Sequence, residues 1–123
     1  MGLAPTPIGY YSEVVGLPPY ITKYMPVTGA MIITASHNPS QYNGMKMTYA
    51  KQSLNEEQIK VVKELTMEEY KLAIPPVAFG ILNEYDIIPD YIEEMTKKFG
   101  RIGEGIKVVV DSANATGGVV APK

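Results

Sequence analysis

The sequence predicts an α/β fold, and three observations point to it. Two short apolar runs rich in β-branched residues, Ala30–Thr34 and Ile106–Val110, have the length and composition of buried strands. Segments with apolar residues at helical spacing stand around and between them, over 6–15, 53–65 and 88–99. Each strand-like run opens into a polar loop rich in turn formers, as in a β-loop-α unit.

The elements follow in order. Thr6-Pro7 predicts a helix start: threonine caps, and proline in the first turn gives up only a donor that has no partner there. Ile8, Tyr11 and Val15 recur on one face, and Gly16 with Pro18-Pro19 stops the helix. Residues 17–28 hold three prolines and read as a loop. After the strand at 30–34, His37–Gly44 is dense in turn formers and ends in Asn43-Gly44, a pair that accepts positive φ. Met45–Ala50 alternates weakly and reads as the return strand of a wide hairpin. Ser53-Leu54-Asn55-Glu56 has the form of a capping box. The helix it opens should bury Ile59, Val61, Val62 and Leu65 and wet Glu56, Glu57, Lys60, Lys63 and Glu64. Leu72–Asn83 is a connector. Pro89 falls in the first turn of a helix over 88–99, with Tyr91, Ile92 and Met95 inward and Gly100 and Gly103 ending it. Ile106–Val110 is a strand, 111–118 a loop, and a further helix should begin near Val119. A βα unit needs a crossover helix and a second strand to bury itself, so 106–123 looks unfinished. The helix at 6–15 likewise has no strand before it. The chain is expected to be a cut-out of a longer α/β protein: 1–85 part of one domain, 86–105 a connecting helix and linker, 106–123 the first strand and turn of a second.

Composition narrows the function classes. Hydrophobic residues make up 46% of the 123 and charged ones 20%, which excludes disorder as the main state. Eleven Lys+Arg against thirteen Asp+Glu give a net charge of -2, and Arg101 is the one arginine, so no nucleic-acid partner is expected. Cysteine is absent and His37 is the only histidine, which excludes disulfides, thiolate chemistry and a multi-histidine metal site within the chain. The longest uncharged stretch, Tyr24–Met45, is too polar and proline-broken for a membrane span. A cytoplasmic protein with no membrane partner is the default expectation.

The chemistry concentrates in Thr34-Ala35-Ser36-His37-Asn38-Pro39 and the closing Tyr42-Asn43-Gly44-Met45-Lys46. A serine at a strand's carboxyl end sits where open α/β sheets bind ligands. Lys46, on the returning strand, could bring its ammonium near Ser36. Serine, histidine and lysine around one point suit acyl or phosphoryl transfer. Acyl transfer is the weaker option, because no Gly-x-Ser-x-Gly elbow surrounds Ser36 and an adjacent His37 would point away from it. Phosphoryl transfer asks mainly for positioning and positive charge. The bland readings are a turn serine, a structural loop histidine and a solvated strand lysine. Tyr10 and Tyr11 read as helix and core aromatics, and Asp111 as a loop or cap residue.

These two stretches resemble the phosphoserine loop of the α-D-phosphohexomutases, the phosphomannomutase/phosphoglucomutase family. Gly2-Leu3-Ala4-Pro5-Thr6-Pro7 resembles the family's helix start upstream of that loop, and Leu54–Ile59 the helix after the return strand. Ile106–Asp111 with Asn114 and Gly117 resembles the first strand and turn of the second domain. The resemblance implies a three-layer α/β/α domain with a mixed sheet, here incomplete at both ends. It implies a mutase that moves phosphate between C1 and C6 of a hexose through a phosphoserine and a bisphosphorylated intermediate. Ser36 would carry the phosphoryl group and be the chain's one contact to Mg²⁺. His37 would flank Ser36 in the active-site loop, and Lys46 would transfer the proton at the sugar hydroxyl. Thr34 and Asn38 would help bind the cofactor. Glucose or mannose 1,6-bisphosphate would be the activator, and a mannose or glucose phosphate the substrate, with a glucosamine phosphate as the alternative. The family's Asp-Gly-Asp-Gly-Asp metal loop does not occur in these 123 residues, so the chain alone should be inactive. A competing reading is a non-catalytic module that self-associates as a homo-oligomer through uncovered sheet edges. A serine hydrolase is a distant third.

Overall fold

The computed structural model describes residues 1–22, 26–72 and 80–123, the side chain of Thr22 excepted. Parts of the expected loop at 17–28 and connector at 72–83 lie outside the described residues. Helices α1 (Thr6–Val14), α2 (Pro19–Thr22), α3 (Glu56–Leu72) and α4 (Ile88–Phe99) accompany strands β1 (Gly29–Ile33), β2 (Met45–Tyr49) and β3 (Gln52–Ser53), and a 3-10 turn covers Thr116–Val119. The strands form one sheet in the order β1-β2-β3. Both described pairings are antiparallel. This is an incomplete α/β fold, and all of its described strands are antiparallel.

The core sits between α1, α4 and the 3-10 turn. Ile8, Ile87 and Ile88 are buried together, with Tyr11, Tyr91, Ile92, Val119 and Val120 packed against them. Tyr11 meets Tyr91 edge-to-face at 5.2 Å and donates its hydroxyl to Glu94 Oε2 at 2.8 Å. Burial, and then that hydrogen bond, push the Tyr11 phenol from 10 up to about 12. Tyr85 donates to Asp90 Oδ2 at 2.5 Å, and this bond together with one to Tyr20 raises its phenol well above the usual range. Helix α4 matches the predicted bounds, and Gly100 at φ 60 ends it.

Helix α1 begins one residue earlier than a Thr6 cap requires. Pro5 is the cap residue, Ile8 N–H donates to the Pro5 carbonyl at 3.0 Å, and Thr6 makes no capping bond. Its buried face also differs from expectation. Val15 is exposed, whereas Ser12 and Glu13 are buried. The physical reason is that Glu13 finds partners. Its carboxylate accepts the Thr48 hydroxyl of β2, and also Lys51 N–H at 2.7 Å. Ala50 and Lys51 hold φ of 51 and 65 in the two-residue turn from β2 to β3, where the primed turn geometry usually calls for asparagine and glycine. Glu13 ties that turn to the helix.

Strand β1 was expected to be buried, yet it is covered on one face only. Ile32 lies against α1 so closely that a Cβ on Gly9 would come within 2.6 Å of its Cδ1. On the other face Met31 and Ile33 are 58% and 59% exposed, and Met45 and Tyr49 of β2 are exposed beside them. Further expectations need correction. The capping box of α3 is formed by Asn55 and Gln58, each side chain accepting the other's backbone N–H at 2.9 Å, because Ser53 is committed to β3. The apolar face of α3 is not buried: Ile59, Val61 and Leu65 are about half exposed. Residues 106–110 form no strand, and Val109 is 95% exposed. A strand needs a paired neighbour, and none lies beside this run among the described residues. The last helical element begins at Thr116, before Val119, as the short 3-10 turn. The loop expected at 17–28 contains the short helix α2 among its described residues. No helix among the described residues is long and apolar enough to cross a membrane.

Candidate active site

The end of β1 delivers the serine loop. Thr34 N–H donates to the Gly44 carbonyl at 2.9 Å and so closes the loop at its base. A Cβ on Gly44 would stand 2.6 Å from the Thr34 carbonyl oxygen, so this approach requires glycine. Within the loop, Ser36 N–H donates to Thr34 Oγ1 at 3.0 Å. Ser36 itself has φ 51, in the left-handed region that costs a non-glycine residue about 1–2 kcal/mol. Asn38 N–H to the Ala35 carbonyl and Tyr42 N–H to the Pro39 carbonyl, each at 3.0 Å, form the remaining turns. Ser36, His37 and Asn38 are all exposed.

The return strand brings Lys46 back. Lys46 pairs with Ile32 in the register, so Lys46 shares a sheet face with Ile32 and with Thr34 two residues on. Thr34, Ser36, His37 and Lys46 line one cleft of about 870 Å³. Asn38 is not part of its wall. Residues 113–116, with Gly118 and Val119, line the same cleft from the side of the 111–119 loop. That side is built by Asp111, whose Oδ1 accepts Ala113 N–H at 2.7 Å, and by Ala113 at φ 46. Val119 and Val120 anchor it to the Ile8 cluster. Sequence reasoning treated Asp111 as a loop residue, which it is, but missed that Asn114 and Thr116 would line the same cleft as the serine. No local signal marks them: a turn-rich segment after an apolar run announces a loop, not which other loop it will meet.

The cleft carries the amine of Lys46 as its strong cation and no carboxylate among its lining residues. Among the described residues no three of His, Cys, Asp and Glu converge on one point. Magnesium asks for octahedral oxygens, usually including one or two carboxylates. The residues described here therefore do not make a complete Mg²⁺ site. The cleft can position a group at Ser36 and place positive charge beside it.

Comparisons with known proteins agree on a class, the hexose-phosphate mutases. The chain is 32% identical over 123 residues to a "Phosphomannomutase/phosphoglucomutase" of Pseudomonas aeruginosa, covering all of this chain and 24% of that protein. It is 33% identical over 128 residues to a "Phosphoglucomutase/phosphomannomutase" of Thermococcus kodakarensis, covering 99% of this chain and 26% of the relative. A "Probable phosphoglucosamine mutase" of the same organism is 34% identical over 125 residues, again with 99% of this chain and 25% of the relative covered. The family described as "Phosphoglucomutase/phosphomannomutase, alpha/beta/alpha domain I" matches residues 1–72, and the chain belongs to that family. It spans about a quarter of the length of these curated relatives. No solved structure matches it.

Proposed function

We propose that this chain is the phosphoserine-bearing part of an enzyme that moves phosphate between C1 and C6 of a hexose, with Ser36 as the carrier. The observation that supports this best is the meeting of Ser36, His37 and Lys46 in one cleft. In the outward step a sugar hydroxyl oxygen attacks the phosphorus on Ser36. A phosphorus–sugar oxygen bond forms and the bond to Ser36 Oγ breaks. The proton lost by the hydroxyl ends on Ser36 Oγ, and Lys46 passes it. The bisphosphorylated sugar then presents its other phosphate, and the reverse step restores the phosphoserine. No co-reactant is consumed. Lysine charge beside the transferring group lowers the barrier by electrostatic stabilisation. His37, next in the loop, supplies a further donor to the phosphoryl oxygens. Thr34 supports the step by holding the Ser36 amide, and Asn38 contributes from the loop surface. Magnesium, where the enzyme binds it, would screen phosphate charge. Its ligands besides phosphoserine would lie outside these residues.

Mannose or glucose phosphate is the proposed substrate. The similarity to relatives named phosphoglucosamine mutase favours a glucosamine phosphate as the second reading. The test is to incubate the complete enzyme with glucose or mannose 1,6-bisphosphate and map phosphate by mass spectrometry. Label on Ser36, and loss of turnover by about 10³-fold or more in Ser36→Ala, is the expected result. Label elsewhere with Ser36→Ala fully active overturns the reading.

The 123-residue chain by itself is proposed to be inactive and to self-associate. The exposed sheet face of Met31, Ile33, Met45 and Tyr49 favours this. Light scattering after size exclusion checks it, and a clean monomer counts against it.

A further inference from the structure

The two walls of the cleft differ in chemistry. The wall with Ser36 and Lys46 carries a hydroxyl and a cation. The part of the same lining contributed by residues 113–119 carries Asn114, an amide residue, and Thr116, a hydroxyl residue, with no charge. Leu3 and Val119 add apolar surface to the same cleft. A phosphoryl group belongs beside the cation. An uncharged wall that offers both donors and acceptors, with apolar patches nearby, suits the other part of a sugar phosphate. Ring hydroxyls both donate and accept, as a carboxamide and a hydroxyl do, and the C–H face of a pyranose packs on aliphatic side chains. Asn114 is exposed and Thr116 half-buried, so both polar groups can reach a ligand without displacing core contacts. A volume of about 870 Å³ falls within the range of small-molecule clefts.

We propose that Asn114 and Thr116 are substrate-binding residues that hydrogen-bond the ring hydroxyls of a hexose phosphate while its reacting oxygen lies at Ser36. The proposal deepens the mutase reading and rests on it. It also gives the loop at 111–119 a part in choosing between epimeric hexoses, because a hydroxyl moved from one side of the ring to the other meets this wall differently.

The test uses the complete enzyme with Asn114→Ala and Thr116→Val, each assayed with glucose 1-phosphate and mannose 1-phosphate. Loss of one hydrogen bond to an uncharged hydroxyl should raise KM about tenfold. The change in kcat should stay within twofold, and the rise in KM should differ between the two sugars. Phosphate on Ser36, measured by mass spectrometry before substrate is added, should be unaltered, a readout that separates sugar binding from damage to the serine loop. Asn114→Ser, which keeps a small polar group, should recover part of the affinity. Unchanged KM for both sugars in both variants overturns the inference, as does loss of Ser36 phosphorylation in step with the loss of turnover. Failure of the mutase reading looks different: Ser36→Ala would then remain active whatever residues 114 and 116 do.

Discussion

Two turns contribute to the lining of one cleft, and they are built alike. In the first, Thr34 Oγ1 accepts the N–H of Ser36, whose φ is 51. In the second, Asp111 Oδ1 accepts the N–H of Ala113, whose φ is 46. Each follows an extended apolar run, and in each a side-chain oxygen holds a non-glycine residue in the left-handed region. Their supports differ. The first is closed by the Thr34–Gly44 bond and carried on a paired strand. The second hangs from the unpaired run 106–110 and is fixed mainly through Val119 and Val120. The same local device thus serves two ends: on the sheet it displays a hydroxyl, and on the 111–119 loop it displays an alanine and turns the chain toward Asn114 and Thr116. Backbone geometry alone does not make the site. In the proposed site, the hydroxyl at the left-handed position and the Lys46 amine lining the same cleft set the first turn apart.

The largest effect should come from exchanging that side chain. The double variant Ser36→Ala/Ala113→Ser in the complete enzyme should be as inactive as Ser36→Ala, with no phosphate at position 113 by mass spectrometry. Phosphate at 113 would show the two turns to be chemically equivalent and break the comparison.

Next come the loop bases. Gly44→Ala should destabilise the chain by about 1–3 kcal/mol, because its Cβ would meet the Thr34 carbonyl at 2.6 Å. Gly118→Ala should change stability by less than about 0.5 kcal/mol, since its nearest new contact, Ser112 Cβ, is at an ordinary 3.9 Å. Denaturant melts of the two variants compare them directly, and equal losses would mean that the serine loop is no more tightly closed than its partner.

The side-chain acceptors should matter less. Thr34→Val and Asp111→Ala each remove one exposed hydrogen bond, at a cost of about 0.5–1.5 kcal/mol. Thr34→Val should in addition slow phosphorylation of Ser36, which Asp111→Ala should leave alone. Phosphorylation kinetics with a hexose bisphosphate separate them.

A last comparison tests the frame that both turns share. The Tyr11 phenol is raised from 10 to about 12. A group whose folded value is raised gives stability that is fully present below pH 10 and is lost as pH climbs through 12. Melting temperatures should therefore fall over that window, and Tyr11→Phe should flatten the fall. An identical pH profile in the variant would remove Tyr11 as the cause.

Much of the candidate site was legible in the chain. Ser36, His37 and Lys46 were singled out because turn formers after a β-branched run announce a strand end, and because a hairpin return brings Lys46 back. Asn114 and Thr116 were not legible as site residues, since nothing local says which loop a distant loop will face. Helix α3 shows the same limit from the other side: its amphipathic pattern is plain, yet its apolar face stays half exposed. Periodicity states which face could be buried, and only a neighbouring surface buries it.

The amino-acid order by itself determined the helices α1, α3 and α4, the β1–β2 hairpin and the glycine at its closure, because these depend on contacts between near neighbours and on backbone sterics. Tertiary structure decided the rest: that Glu13 is buried against Thr48 and Lys51 N–H, that the capping of α3 falls to Asn55 once Ser53 joins the sheet, that 106–110 remains unpaired, and that the loop at 111–119 closes the cleft. Each of these turns on competition for a partner far away in the chain, and such competition is resolved only when the whole surface is assembled.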